Sequence, residues 1–339
     1  MRYWAHLLLV GLVCSLLATQ AMAQQTFRTA EEVNKLLGRG INLGNALEAP
    51  SEGAWGITLE ADYFEAIAKA GFQSVRIPTR WSAHSLSREP YTIDPKFLKR
   101  VDWAIEQAQK NKLAIVLNVH HFDEVYLKPE EKLPQLAGIW KQLAEHYKDL
   151  PDNVVFEILN EPHTKLDADN WNKAIVQLLG VIRATNPQRV VMVGPTNWNN
   201  PHFLPGLKLP ADDKQLIVTF HYYNPFEFTH QGAEWATDSQ KWLGRKWTGS
   251  ATDVKALRDD LDRAAKWGEE NKRPLFLGEF GAYNKADMAS RALWAKSVAR
   301  EAEARGFSWA YWEFCSGFGA YDPATKSWRP ELKAALVEK

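Results

Sequence analysis

The stretch "VVFEILNEPH", Val154 to His163, begins as a run typical of a buried β-strand and ends in Asn160, Glu161 and Pro162, which a buried strand disfavours. Other short apolar, β-branched runs recur along the chain. They cover Gly40–Asn45, Ser74–Pro78, Leu113–His120, Arg189–Gly194, Leu216–Tyr222, Leu275–Gly278 and Ser308–Glu313. Together with Val154–Asn160, the sequence predicts eight strands.

Segments of helical period separate these strands. In one, Thr58 is the predicted N-cap and Gly71 the stop; in the next, Asp94 is the N-cap and Pro95 the first helical residue. Eight strands alternating with helices predict a single-domain α/β fold, a (β/α)8 barrel of the TIM type. The Pro- and Asn-rich segment 197–210 predicts that the fifth helix is short or absent.

The N-terminus reads as a cleaved secretory signal over residues 1–23, followed by a catalytic domain over residues 24–339. Arg2 precedes an apolar run of about twelve residues, shorter than the roughly twenty that span a bilayer, and a small-x-small pattern ends at Ala23. We therefore expect an extracellular or periplasmic protein that has no membrane partner once the signal is removed. Cys315 is then its only cysteine, so an intramolecular disulfide is excluded.

Composition narrows the class of ligand. Lys and Arg number 41 and Asp and Glu also 41, with no basic stripe, so the sequence does not predict a nucleic-acid partner. The 15 tryptophans are more informative, because several fall in Gly-, Asn- and Pro-rich segments where a core does not need them. Exposed indole faces indicate a ligand that stacks on aromatic rings.

Polar side chains end six of the eight predicted strands, and in such a barrel those ends converge on one rim. They are Arg76, His120 with His121, Asn160 with Glu161, His221 with Tyr223, Glu279, and Trp312. The carboxyls of strands four and seven can face each other across the mouth. Paired carboxyls above an aromatic floor suit glycoside cleavage, in which one acid protonates the leaving oxygen and one carboxylate meets the anomeric carbon.

The motifs "FEILNEP", "HYYNP", "LGEFGAY" and "SVRIP" resemble those of glycoside hydrolase family five, the cellulase-type retaining glycosidases, over about Gly40 to Trp328. The resemblance implies that Glu161 is the general acid/base and Glu279 the nucleophile. It also implies supporting roles around them. These are Arg76 and Tyr223 holding the nucleophile, His120 and His221 supporting the sugar and the acid/base, Asn160 binding the 2-hydroxyl and Trp312 flooring the cleavage subsite.

Longer strings, "GINLGNALEAP", "HYYNPFEFTHQGAEW" and "YWEFCSGFGAYD", resemble a branch containing endo-β-1,4-glucanases, some of which also cut mannans. In that branch the substrate sites on the non-reducing side would be lined by Asn45, Glu48, His121, Trp198 and Trp235. For the two tryptophans the alternative is partial burial beneath the loops.

Two other glutamates receive structural interpretations. Glu157 shares the strand parity of Glu161 but lies ~13 Å from it, too far for the ~5–5.5 Å of a retaining pair, so we expect it to pair with a cation inside the barrel. Glu313 alternates with Trp312, which predicts a packing or rim position facing the other way.

The sequence thus predicts a secreted, monomeric, retaining endo-β-1,4-glucanase whose partner is a β-linked polysaccharide or oligosaccharide and which needs no cofactor. An endo-β-1,4-mannanase or a dual enzyme is the alternative within the class. A metal-dependent barrel hydrolase, or a catalytically dead carbohydrate-binding barrel, is the alternative outside it. The candidate metal ligands are His120, His121, Asp123, Glu124, His163 and His221.

Overall fold

A closed barrel of eight parallel strands forms the centre of the molecule, with β8 pairing back onto β1. The computed structural model describes residues 27–338, so the predicted signal segment lies outside the described residues. The barrel strands are β1 Arg39–Asn42, β2 Ser74–Ile77, β3 Ala114–Asn118, β4 Val154–Glu157, β5 Val191–Val193, β6 Leu216–His221, β7 Leu275–Glu279 and β8 Ser308–Tyr311. The (β/α)8 prediction is confirmed, and most strands end earlier than predicted because their last residues turn into the loops that carry the polar side chains.

Helices surround the barrel and bury the outer faces of its strands. The helices are α1 Ala30–Leu37, α2 Ala61–Ala70, α3 Pro95–Lys110, α4 Asp123–Leu127, α5 Pro129–His146, α6 Ala168–Arg183, α7 Thr196–Asn199, α8 Phe226–Thr229, α9 Ala251–Asn271, α10 Met288–Ala304 and α11 Pro330–Val337. A hairpin of β9 Tyr321–Asp322 and β10 Ser327–Trp328 follows the barrel. No helix among residues 27–338 has the length and apolarity to cross a membrane.

Local capping residues set the ends of helices where no distant side chain holds the backbone in another conformation. The Asp94 side chain accepts the N–H of Lys96 at 2.8 Å and Pro95 is the first residue of α3, as predicted. Gly71 ends α2 in the left-handed region with φ of 103°, also as predicted.

The predicted N-cap at Thr58 is wrong, because α2 begins later in the chain. The backbone N–H of Leu59 donates to Glu52 at 2.9 Å, and the carbonyl of Leu59 accepts from Arg100 at 2.6 Å. These two side chains, from elsewhere in the chain, hold the segment extended and delay the first helical turn.

The fifth βα unit lacks a full helix, as predicted. Asn197 and Trp198 within α7 have φ of 58° and 59°, so this element is a left-handed turn rather than regular helix. A 3₁₀ segment, Pro201–Gly206, follows it. The short connection leaves Trp198 at the rim of the barrel.

The barrel interior is closed at its N-terminal end by α1. Val33 and Leu37 of this helix pack against Val155, Ile217 and Phe276, which point inward from the strands, and all five are buried. Apolar side chains fill this half of the barrel, so the polar side chains gather at the opposite, C-terminal end.

Candidate active site

Two glutamates meet at the C-terminal end of the barrel. Glu279 is the last residue of β7, and Glu161 lies just beyond β4. A carboxylate oxygen of each, together with a ring nitrogen of His221, lie within 4.8 Å of one another. The separation is close to the ~5–5.5 Å of carboxyl pairs that cleave glycosides with retention, and shorter than the ~6.5–9.5 Å of inverting pairs. We call Arg76, Asn160, Glu161, His221, Tyr223 and Glu279 the catalytic centre.

Glu279 is held by two donors. Arg76 Nη1 donates to Oε1 at 2.6 Å, and the hydroxyl of Tyr223 donates to Oε2 at 2.9 Å. Burial raises the pKa of Glu279 above its ordinary value, while the charge of Arg76 and the hydrogen bond from Tyr223 limit that rise. Burial also raises the pKa of Tyr223 well above its ordinary value, which keeps the phenol a neutral donor. The two donors stabilise the anion of Glu279 and offset part of the cost of its burial.

Arg76 is the hub of the centre and is fully buried. It binds Glu157 through two bonds of 2.6 and 2.8 Å, and it donates to Asn42 at 2.9 Å and to Asn160 at 2.8 Å. The prediction that Glu157 pairs with a cation inside the barrel is confirmed. Because Arg76 bridges Glu157 and Glu279, its position is fixed from both sides.

Glu161 occupies a strained turn. Its φ of 47° lies in the left-handed region, which costs a residue with a side chain ~1–3 kcal/mol. The preceding carbonyl, of Asn160, accepts the hydroxyl of Tyr126 at 2.6 Å and helps to hold the turn. His221 Nδ1 lies 2.7 Å from Oε1 of Glu161. Burial raises the pKa of Glu161 to about 7, so this carboxyl keeps its proton near neutral pH although its side chain is 24% exposed to the cleft.

The two buried histidines near the glutamates, His221 and His120, are neutral near pH 7. Burial lowers the pKa of His221 to about 4 and that of His120 well below its ordinary value. Asn118 Nδ2 lies 3.1 Å from His120 Nδ1, and the ring of His120 stacks on Trp312 at 5.7 Å between centroids. The backbone N–H of Trp312 donates to the carbonyl of Phe280, the residue after Glu279, at 2.9 Å, which places Trp312 beside the catalytic centre.

Trp312 directly follows β8 and is joined to Glu313 by a cis peptide bond. A Cβ at Gly44 would lie 3.1 Å from the indole, so a glycine there leaves room for the ring. The buried carboxylate of Glu313 faces away from the cleft and accepts the backbone N–H groups of Cys315 and Ser316 at 2.7–2.8 Å. The predicted packing position of Glu313 is therefore correct.

The residues predicted to line the non-reducing side divide into two layers. Asn45 and His121 are half-buried at the rim. Glu48, in contrast, is fully buried, and its carboxylate accepts the N–H groups of Asn45 and Ala46. The prediction that Glu48 lines the substrate site is corrected: its oxygens are taken up by the turn after β1, where Asn45 has φ of 64°.

Three tryptophans stand exposed around the mouth, and we call them the aromatic rim. Trp198 is 51% and Trp235 62% exposed, so the alternative of burial beneath the loops does not hold. Trp55, 41% exposed, was not predicted. It contacts His121 edge-on at 5.5 Å, and its position in the Gly-rich stretch "SEGAWG" was the available signal.

Asn42 and Tyr126 also belong to the site and were not predicted. The amide nitrogen of Asn42 donates to the carbonyls of Gly278, Ala310 and Tyr311 at 3.0–3.2 Å, while its oxygen accepts from Arg76. A polar residue at an inward position of an otherwise apolar strand was the signal for Asn42. The sequence carries no comparable signal for Tyr126.

Among residues 27–338, one set of three acidic or histidine side chains has metal-ligand spacing: Glu161, His221 and Glu279. The other members of the predicted metal cluster do not join this set within the described part of the chain. These are His120, His121, Asp123, Glu124 and His163.

A closed (β/α)8 barrel whose open end presents two facing carboxyls, one held by arginine and tyrosine and one beside a neutral histidine, defines a glycoside hydrolase. Residues 37–317 match the model of the cellulase family, glycosyl hydrolase family 5. The chain belongs to this family, and the resemblance seen in the sequence is confirmed.

The chain is also similar in sequence and structure to several named endoglucanases and to a related protein. Endoglucanase Cel5A from the hyperthermophilic Thermotoga maritima is 50% identical with a TM-score of 0.90, over 91% of this chain and all (100%) of that one. The cellulose synthase subunit Z from Clostridioides difficile is 37% identical with a TM-score of 0.86, over 89% of this chain and 100% of that one. Endoglucanase H from Acetivibrio thermocellus is 36% identical over 90% of this chain, which spans 33% of that protein.

Proposed function

We propose that the protein is a retaining endo-β-1,4-glucanase that hydrolyses β-1,4-glucans by double displacement. The observation that carries this proposal is the approach of Glu161 and Glu279 to within 4.8 Å, with unlike partners on each. Arg76 and Tyr223 favour the anion at Glu279, whereas burial favours the protonated form at Glu161.

In the first step an oxygen of Glu279 forms a bond to the anomeric carbon while the bond from that carbon to the glycosidic oxygen breaks. The proton of Glu161 passes to the departing oxygen, which leaves as a sugar hydroxyl. The side-chain oxygen Oδ1 of Asn160 accepts a hydrogen bond from Arg76. The side-chain nitrogen Nδ2 therefore remains as the donor for the sugar hydroxyl adjacent to the reacting carbon.

In the second step water attacks the same carbon and gives its proton to the Glu161 carboxylate. The bond to Glu279 breaks, and both glutamates return to their starting states. Two inversions at one carbon give net retention. The two carboxyls and water account for every bond change and proton transfer in both steps, so we expect activity to survive exhaustive chelation. A loss of activity that zinc restores would favour the metal-dependent alternative.

Cleavage within a polymer, rather than at its end, is supported by the aromatic rings that extend from the centre. One row runs from Trp312 through His120 and His121 to Trp55. Elsewhere at the mouth, Trp198 stacks on His163 at 4.6 Å, two residues beyond Glu161. The exposed rings at the mouth, Trp55 and Trp198, offer stacking surfaces beyond the reacting sugar, which suits several sugar units of one chain.

Activity on β-1,4-mannans is the second candidate. Thermotoga maritima Cel5A has been crystallised with mannotriose and with cellobiose, at 50% identity to this chain in both cases. Glucose and mannose units differ in the orientation of the 2-hydroxyl, the group that we place opposite Asn160. A small shift of that donor decides between the two sugars.

The test is a side-by-side assay of carboxymethylcellulose, mixed-linkage glucan, glucomannan and galactomannan. We expect the highest turnover on the glucans, with a rapid fall in viscosity that marks internal cuts. Glu130→Gln, an exposed residue of α5, is the control and should behave as wild type. Higher turnover on galactomannan, or release of cellobiose without a viscosity fall, would contradict the proposal.

We also propose that the protein acts outside the cytoplasm as a monomer, after cleavage near Ala23. The predicted signal segment supports this proposal. Mass spectrometry of the exported protein should find an N-terminus at residue 24, and light scattering should give the mass of one chain. A full-length chain retained in the cytoplasm would contradict it.

A further inference from the structure

Asn199, a fully buried residue at the end of α7, lies against the histidine of the catalytic centre. Its Nδ2 is 3.3 Å from Nε2 of His221, and the other ring nitrogen, Nδ1, is 2.7 Å from Oε1 of Glu161. One side chain thus connects the loop after β5 to the general acid through an imidazole.

The backbone makes room for this amide in two places. Asn199 has φ of 54°, in the left-handed region that asparagine adopts more readily than most residues with side chains. Gly194, just after β5, faces it: a Cβ at Gly194 would lie 2.6 Å from Cγ of Asn199. The end of the fifth strand is therefore shaped around this side chain.

A neutral imidazole carries one N–H, and His221 is neutral because burial lowers its pKa to about 4. The structure directs Nδ2 of Asn199 at Nε2 of His221 and Oδ1 toward Gly194, and in this orientation the amide donates to an Nε2 that has no hydrogen. The ring hydrogen is then on Nδ1, which donates to Oε1 of Glu161. In the opposite tautomer the acid proton of Glu161 would itself donate to Nδ1 and point away from the cleft.

We propose that Asn199 is a positioning residue for proton transfer, which fixes the tautomer of His221 and thereby keeps the acid proton of Glu161 on Oε2, free for the glycosidic oxygen. The inference rests on the proposed function, because it takes Glu161 as the general acid. In the first step the proton moves from Oε2 to the leaving oxygen, and the Nδ1–H of His221 stays in place and stabilises the new carboxylate.

The charged groups around His221 determine how its protonation responds when the amide of Asn199 is replaced by a carboxylate. Glu161 and Glu279 both lie near Nδ1, at 2.7 and 3.6 Å, while Arg76 and Glu157 act from β2 and β4. The neutral His120, just after β3, adds no charge. A carboxylate in place of the amide only accepts, so it draws a hydrogen to Nε2. The ring then either reverses its tautomer or becomes a cation that lowers the pKa of Glu161, and both outcomes weaken the acid.

The test compares two substrates in Asn199→Asp. Cellotetraose needs a proton on its leaving oxygen, whereas the leaving group of 2,4-dinitrophenyl β-cellobioside does not. We expect kcat/KM to fall at least ~10-fold on cellotetraose, with an alkaline limb at lower pH, and to change little on the aryl substrate. Equal losses on both substrates, or no loss on either, would overturn the proposal.

Three controls separate the possible failures. Asn197→Asp places the same charge in the same turn, at a half-buried residue, and should show no substrate split. Glu161→Ala should show the aryl-sparing split; if it does not, the proposed function fails rather than the role of Asn199. If Asn199→Asp does not fold, ¹⁵N NMR of histidine-labelled wild type decides: a hydrogen on Nδ1 of His221 supports the proposal, and one on Nε2 overturns it.

Discussion

The catalytic centre and the aromatic rim share one end of the barrel but differ in how they are held. In the centre, the ionisable side chains Arg76, Glu161 and Glu279 are each fixed by partners at 2.6–2.9 Å. The three rim tryptophans make ring contacts and remain 41–62% exposed. The centre thus has a geometry set before substrate arrives, whereas the rim offers surface along which different sugar chains can lie.

This difference predicts that damage to the centre lowers kcat, and damage to the rim raises KM. The largest effect is expected for Glu279→Gln, which removes the nucleophile and should lower kcat about 10⁴-fold or more. Calorimetry should still detect binding of cellotetraose, because the rim is intact. Wild-type-like turnover would exclude Glu279 as the nucleophile.

The next effect concerns the support of the centre. Glu157→Gln leaves Arg76 with one carboxylate instead of two in a buried site, and breaking such a pair costs about 3 kcal/mol. Urea unfolding should show this loss in the free energy of unfolding. Glu145→Gln, which breaks the exposed pair with Lys148, is the matched control and should leave the unfolding midpoint unchanged. Equal stability of the two variants would mean that the Arg76–Glu157 pair does not hold the centre together.

The pH profile tests the proton of Glu161. Its pKa is raised from 4.5 to about 7, so the protonated acid is present below pH 7 and decreases tenfold per unit above it. We expect kcat/KM on cellotetraose to fall on the alkaline side with a midpoint near pH 7. Activity that stays level to pH 9 would contradict Glu161 as the acid.

The smallest effect belongs to the rim. Trp235→Ala removes one exposed stacking surface, worth ~0.5–1.5 kcal/mol, and should raise KM for long glucans about two- to tenfold without lowering kcat. Phe203→Ala, an exposed aromatic in the 3₁₀ segment after α7, serves as the comparison and should leave KM unchanged. A large loss of kcat in Trp235→Ala would show that the rim also positions the reacting sugar.

The sequence predicted the barrel and the centre because polar side chains interrupt apolar strands at one end. The spacing of Glu157 and Glu161 excluded them as a retaining pair and left Glu157 for the barrel, while the "FEILNEP" motif marked Glu161 for the cleft. Both assignments depend on local pattern, which a single sequence displays directly.

The remaining features depend on contacts between distant parts of the chain. Glu48 looked like a cleft residue, but the turn after β1 uses its carboxylate. Thr58 looked like an N-cap, but Glu52 and Arg100 hold the neighbouring backbone extended. Asn199 gave no signal, because its importance arises from the space left by Gly194 and from the ring of His221.

The central claim is that Glu161 and Glu279 act by double displacement. Proton NMR during the first minutes of cellotetraose hydrolysis measures which anomer is released, before mutarotation mixes the two. Our account predicts that the new reducing end appears first as the β-anomer. Initial release of the α-anomer would contradict it.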